Sequence, residues 1–282
     1  MYKSNHCSPR KKNDISCYSY EILLKIAQIL NENGSKIKLS KNKKTLHKRI
    51  EKEIKKISDC KNEICWKFIP QIKKNLDIDT KKETIESFKP EMPTEWEKNP
   101  NTWLNTSDID NVMEQYEKKY PNFNFLGTHP IDFALKKQNQ CLVSDDELCK
   151  INIKELNEKY DSLGLVLNTD NHNESGEHWF SIYIDLKGRN LKNIPTIYYF
   201  DSALSEPHEE IIKFVNTCKS QLPKLNFLYN DIQHQYGSTE CGIYCLHFLT
   251  EMLKGKSFKN YINNKRNDKI MENFRKEFFI KK

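Results

Sequence analysis

The 282 residues carry 30% charged and 37% apolar side chains, with 46 Lys+Arg against 39 Asp+Glu for a net charge of +7. No apolar run approaches the ~18 residues of a membrane span, and the polar N-terminus has no signal-peptide pattern, so the sequence predicts a cytoplasmic chain with no membrane span. Nine cysteines, odd in number and scattered from Cys7 to Cys245, argue against a disulfide framework and for a reducing compartment.

The charge is unevenly spread. Residues 1–90 hold 22 Lys+Arg and 11 Asp+Glu, while the rest hold 24 and 28. Opposite balances predict two units, a basic helical N-terminal domain with linker over 1–95 and a second domain over 96–282. The basic unit is a candidate for contact with nucleic acid or an acidic partner, although interleaved acidic residues also fit a solvated helical surface.

Residues 1–17 are polar and expected to be mobile. Apolar residues at helical spacing predict helices over 18–31 and 43–57, and a third over 63–76 that Pro70 should bend. Pro90, Pro93 and Pro100 mark a linker. A helix with Ser107 as N-cap and Ile109, Val112, Met113 and Tyr116 as its apolar stripe opens the second unit. A loop is expected around Gly127. Strands are predicted over 163–168, 178–186, 197–200 and 226–233. Helices are predicted over 207–222, with Ile211, Ile212, Phe214 and Val215 inward, and over 241–253 and 268–279. The class is α+β.

The chemistry concentrates in Gln235-Tyr-Gly-Ser-Thr-Glu-Cys241-Gly242. Cys241 falls in the first turn of a helix, where unpaired N–H groups and the helix dipole favour a thiolate. Gly242 permits a close approach by another group. His178 opens a strand after a polar loop, and Asp201 ends the next strand, so neighbouring strands can present an imidazole and a carboxylate together. A thiol protease needs a nucleophile (Cys241), a proton shuttle (His178), an orienting acid (Asp201) and oxyanion donors, here the Gln235 amide and the Cys241 N–H. Singly, each has a plainer role: a buried cysteine, a core histidine, a turn aspartate. The ordered set points to catalysis. Cys60-x4-Cys65 with His47 is a loose zinc-like spacing with no second ligand pair, so neither metal nor cofactor is expected. Cys245, one helical turn after Cys241, is expected to pack in the core. His172, His234 and His247 are the rival imidazoles, and His234 could line the cleft.

These segments resemble the ubiquitin-like-protein protease family, which includes SUMO-deconjugating enzymes and adenovirus protease. The resemblance rests on His178-Trp179, Asp201 and Gln235-x5-Cys241-Gly242 in that order, with Trp103-Leu104-Asn105 at the start of the domain, and covers roughly residues 100–282. Val166–Asp170, Tyr199–Ser202 and Thr239–Gly242 look most like the polyprotein-processing members encoded by large DNA viruses. The likeness implies a papain-like α+β fold with permuted catalytic order and cleavage after Gly-Gly, with Trp179 walling a glycine-selective channel. The implied substrate is a protein with Gly-Gly-X sites, a viral structural polyprotein if the chain is viral, cut in host cytoplasm or virion. Deconjugation of SUMO or ubiquitin is the alternative, and Cys/His-dependent acetyl transfer a more distant one.

Overall fold

The computed structural model describes residues 6–11 and 15–281. It divides into two compact units, Met1–Glu91 with Phe279–Lys282, and Met92–Phe278.

In the first unit, helix Tyr20–Glu32 is capped by the Ser19 side chain and buries Ile22, Leu23, Ile26, Ile29 and Leu30. Helix Lys43–Ile57 buries Leu46, Ile50 and Ile54, a stripe of period four that leaves its lysines outward. Where one bent helix was expected over 63–76, the backbone forms a 3-10 helix, Glu63–Phe68, then an α-helix, Pro70–Asn75. Proline stands at the first position of the second helix, where its missing N–H costs nothing. A further helix, Ile78–Glu86, was not foreseen.

The expectation of a mobile stretch over 1–17 falls partly outside the described residues, and its described part is held in place. Cys7 is disulfide-bonded to Cys17, and the His6 carbonyl and Ser8 N–H join the main chain at Lys89 and Ser87.

The second unit is built on a five-stranded sheet whose spatial order follows the chain: β1 (Phe123–Pro130), β2 (Ser162–Asn168), β3 (Trp179–Asp185), β4 (Thr196–Phe200) and β5 (Asn226–Tyr229). The β1–β2 and β4–β5 pairs are parallel, and β2–β3 and β3–β4 are antiparallel. Alternate residues of the middle strands face opposite layers. Leu163, Leu165, Phe180, Ile182 and Ile197 share a core with Ile211, Phe214 and Val215 of helix Glu209–Gln221. On the other face Phe200 stacks on Phe248 of helix Cys241–Leu253.

Several local expectations are corrected. Gly127 lies inside β1, not in a loop; its positive φ of 92° sits where the β1–β2 register shifts. The helix expected to start at Ser107 is Thr106–Lys119, capped by Asn105 in a reciprocal capping box with Asp108. Strand β5 stops at Tyr229 rather than 233, and Ile212 is 39% exposed rather than inward. The proline-marked linker is partly built into this unit, because Trp96 is buried beneath the Arg275 guanidinium, 4.5 Å from its ring centre.

The cysteine reading is also corrected. Cys7–Cys17, Cys60–Cys65 and Cys141–Cys149 are disulfides, leaving Cys218, Cys241 and Cys245 as free, buried thiols. Each bridge closes a loop of ten residues or fewer. They are local staples, which a search for a global framework passes over.

Candidate active site

Strand register brings the candidate residues together. β3 and β4 run antiparallel with Ser181 opposite Phe200, so His178, just before β3, and Asp201, just after β4, share one end of the sheet. The His178 Nε2–Asp201 Oδ1 distance is 2.8 Å, and Asp201 is fully buried. Cys241 acts on the same imidazole, and with Nε2 engaged by the carboxylate, Nδ1 is the nitrogen left to face the sulfur. Burial alone would lower the His178 pKa. Hydrogen bonds and charge from Asp201 and Cys241 outweigh it and raise it to about 10.

Cys241 is the first residue of its helix, and Glu240 before it makes no side-chain cap, which leaves the first-turn N–H groups uncapped by a side chain. Glu240 is occupied elsewhere. Its carboxylate accepts from Arg275 Nε and Nη2, both at 3.0 Å, and Arg275 also donates to the Thr102 and Thr239 carbonyls. The charge of Glu240, adjacent to Cys241, is thereby neutralised.

Gln235 is buried on the loop before that helix. Its Oε1 accepts from Ser202 Oγ at 2.7 Å and its Nε2 donates to the Gly237 carbonyl at 2.9 Å, which fixes the amide orientation and leaves one amide hydrogen uncommitted among the described residues. Trp179 is 8% exposed, and its indole N–H donates to the Leu104 carbonyl at 2.9 Å. Leu104 fills the space beside Gly242, where an added Cβ would stand 3.0 Å from Leu104 Cβ and Cδ1. The close approach that Gly242 permits is therefore that of a side chain.

Asn230, which no sequence pattern singles out, holds Asp201 in place. Its Oδ1 accepts from the Asp201 N–H at 2.9 Å and its Nδ2 donates to the Asp201 carbonyl at 2.7 Å. Ser202, marked in the sequence only as the end of the Tyr199–Ser202 run, orients Gln235 through its hydroxyl. An asparagine just beyond β5 and a serine next to the acid were the only signals, and both residue types are common in turns.

The rival imidazoles are committed elsewhere. His172 pairs with Asp132, His234 is buried with Nε2 toward the Ile262 carbonyl rather than lining the cleft, and His247 is buried against Tyr261. Burial lowers the pKa of His234 and takes that of His247 to about 3. Cys245 is in the core, where burial, then the charge of Cys241, raises its thiol pKa well above the ordinary value. In the zinc-like spacing, Cys60 is bonded to Cys65 and His47 pairs with Glu63.

A thiol, an imidazole and a buried carboxylate in sequence, at a helix N-terminus and the end of a sheet, form the constellation of a papain-like peptidase. Residues 136–282, just over half the chain, match the Ulp1 protease family, C-terminal catalytic domain. The chain belongs to the Ulp1 protease family. It is a cysteine protease, with the papain-like α+β fold that the sequence resemblance implied.

Two viral relatives extend the similarity beyond that domain. A chain of Acanthamoeba polyphaga mimivirus that carries a provisional thiol-protease name is 29% identical over 287 residues, 92% of this chain and 88% of the relative. A SUMO-1 cysteine protease of African swine fever virus is 29% identical over 256 residues, 83% of this chain and 90% of the relative. The crystal structure of the African swine fever virus protease shares the fold, with a TM-score of 0.73 at 23% identity over 100% of this chain and 98% of that one. Among the described residues, no helix is long and apolar enough to cross a membrane.

Proposed function

We propose that this Ulp1-family chain is a thiol endopeptidase that cleaves after Gly-Gly, with Cys241 as nucleophile, His178 as proton shuttle and Asp201 as orienting acid. The observation that carries the site assignment is the His178–Asp201 pair at 2.8 Å, with Cys241 at its helix start acting on the same imidazole. With its pKa raised, His178 holds a proton at neutral pH, ready for the leaving amine. Cys241 Sγ attacks the scissile carbonyl. The Gln235 amide and the Cys241 N–H receive the developing oxyanion, and His178 protonates the departing amine. Water, deprotonated by His178, then releases the acyl group.

The glycine requirement is supported by the walls of the approach. Trp103 and Trp179 line one cleft together with Leu104, which both Gly242 and the Trp179 indole hold in place. In this reading the two flat indoles favour glycine next to the scissile bond. The substrate we favour is a structural polyprotein of a large DNA virus, because the similarity to the viral proteases runs well beyond the catalytic domain. Processing would then take place in host cytoplasm or the assembling virion.

The basic N-terminal unit, with Lys44, Lys48 and Lys52 exposed on one helix, recruits an acidic or nucleic-acid-bound substrate in this reading. Replacing these three lysines by glutamate should slow cleavage of protein substrates and spare short peptides; equal effects on both would remove the recruiting role.

The test is a substrate panel. Gly-Gly-Ala peptides should be cut after the second glycine and Ala-Ala-Ala peptides at least about 100-fold more slowly, a ratio within what excluded side chains impose on transition-state binding. SUMO and ubiquitin activity probes and labelled acetyl-CoA are run beside them. Efficient probe capture without peptide cleavage would favour deconjugation, and acetyl transfer without hydrolysis would replace the peptidase reading.

A further inference from the structure

A cleft of about 520 Å³ opens beside Trp179, between residues 103–106 and the loop that precedes His178. Asp170 and Glu174 contribute carboxylates and no lysine or arginine lines it; the two histidines there, His129 and His172, face the Leu126 carbonyl and Asp132. Each acid spends one oxygen locally. Asp170 Oδ2 accepts from Gly176 N at 2.9 Å, and Glu174 Oε2 accepts from the Asn171 main-chain and side-chain nitrogens at 2.8 and 3.0 Å. Asp170 Oδ1 and Glu174 Oε1 have no partner among the described residues.

A second, independent feature of the cleft is Asn168, which lines it and is only 6% exposed. Its Oδ1 accepts from the main-chain N–H of Asp170 at 3.0 Å and of Glu177 at 3.2 Å, which settles the orientation of the amide. The donor end, Nδ2, has no partner among the described residues. A Cβ at Gly176 would stand 3.1 Å from that nitrogen, so the glycine leaves the donor uncovered. The residue is buried but this donor stays open to the cleft, where a substrate carbonyl can accept from it.

We propose that this cleft is a specificity subsite that takes a lysine or arginine immediately before the Gly-Gly pair. Asn168 Nδ2 donates to the main-chain carbonyl of that residue, and Asp170 with Glu174 receives its cation. The assignment rests on the Gly-Gly reading above. With the two glycines between the tryptophan walls, the preceding residue is carried ~3.3 Å per residue along the extended chain and into the cleft.

The experiment compares internally quenched peptides that differ only in the residue before Gly-Gly-Ala, which is Lys, norleucine or Glu, using the full chain. kcat/KM should fall in that order, by about tenfold in all from Lys to Glu, as partly exposed charge pairs allow. In Asp170→Asn/Glu174→Gln the Lys-to-Glu ratio should drop to about twofold. The ratio is read within one preparation, so any loss of folded enzyme cancels. A wild-type ratio near one, or a ratio that the double variant leaves unchanged, overturns the subsite. An Ala-Ala version of the Lys peptide, cut as fast as the Gly-Gly one, would instead overturn the Gly-Gly reading, and the subsite with it.

Discussion

Asn230 closes both main-chain hydrogen bonds of Asp201, accepting from its N–H and donating to its carbonyl. Asp201, the proposed orienting acid, is therefore held by a side chain that touches neither the imidazole nor the sulfur through any hydrogen bond of its own. Positional control of this kind is needed because a catalytic carboxylate must keep its lone pair on the imidazole nitrogen through each proton transfer.

Asn230→Ala should accordingly lower kcat by about tenfold with KM changed less than about twofold, since it loosens the acid rather than the substrate contacts. Two buried main-chain groups lose a partner, which should cost about 1–3 kcal/mol of stability each. Steady-state kinetics and urea unfolding read the two effects separately; a loss confined to KM would contradict the positioning role.

Asp201→Asn removes the charge that keeps His178 protonated. Folded His178 is raised to about 10, against an ordinary value near 6.5, so its contribution to stability is complete below about pH 6.5 and is lost as pH rises through about 10. The stability gap between wild type and Asp201→Asn should therefore be widest in acid and close in alkali. The alkaline limb of kcat/KM should move to lower pH in the variant, and an unmoved limb would separate Asp201 from the imidazole.

Glu240, directly before Cys241, forms a buried pair with Arg275, with side chains 2% and 5% exposed. Removing one partner leaves the other charge unpaired, so Glu240→Gln or Arg275→Met should each cost about 3–5 kcal/mol. The double replacement should cost less than the sum of the two. A double-mutant cycle on thermal unfolding checks this, and strict additivity would show that the pair is not coupled.

The disulfides have a direct chemical readout. Thiol titration in denaturant should find three reactive cysteines before reduction and nine after it, corresponding to Cys218, Cys241 and Cys245 plus the three opened bridges. Nine thiols before reduction would restore the reduced state that the scattered cysteine pattern suggested.

Much of the architecture was legible because it follows from short-range pattern. The helices at 43–57 and 241–253 appear with the bounds their apolar spacing gave, and β2 to β4 fall on their apolar runs. His178 and Asp201 were legible as strand-end residues, and the antiparallel register then decided that they meet. What escaped depended on contacts distant in sequence. Gly127 looked like a loop because its backbone freedom serves a bulge inside a strand, and Trp96 looked like linker because Arg275, which covers it, lies far along the chain. Asn230 carried no pattern at all, since its role exists only once β5 lies beside β4.

The most direct test of the account is sequencing of the new N-terminus made from a Gly-Gly-Ala-containing protein by wild type and by Cys241→Ala. Wild type should yield a single product beginning at the residue after Gly-Gly, and folded Cys241→Ala should yield none, a loss of at least about 10³-fold as for other removed nucleophiles. Cleavage at the same bond and rate by Cys241→Ala would contradict the account.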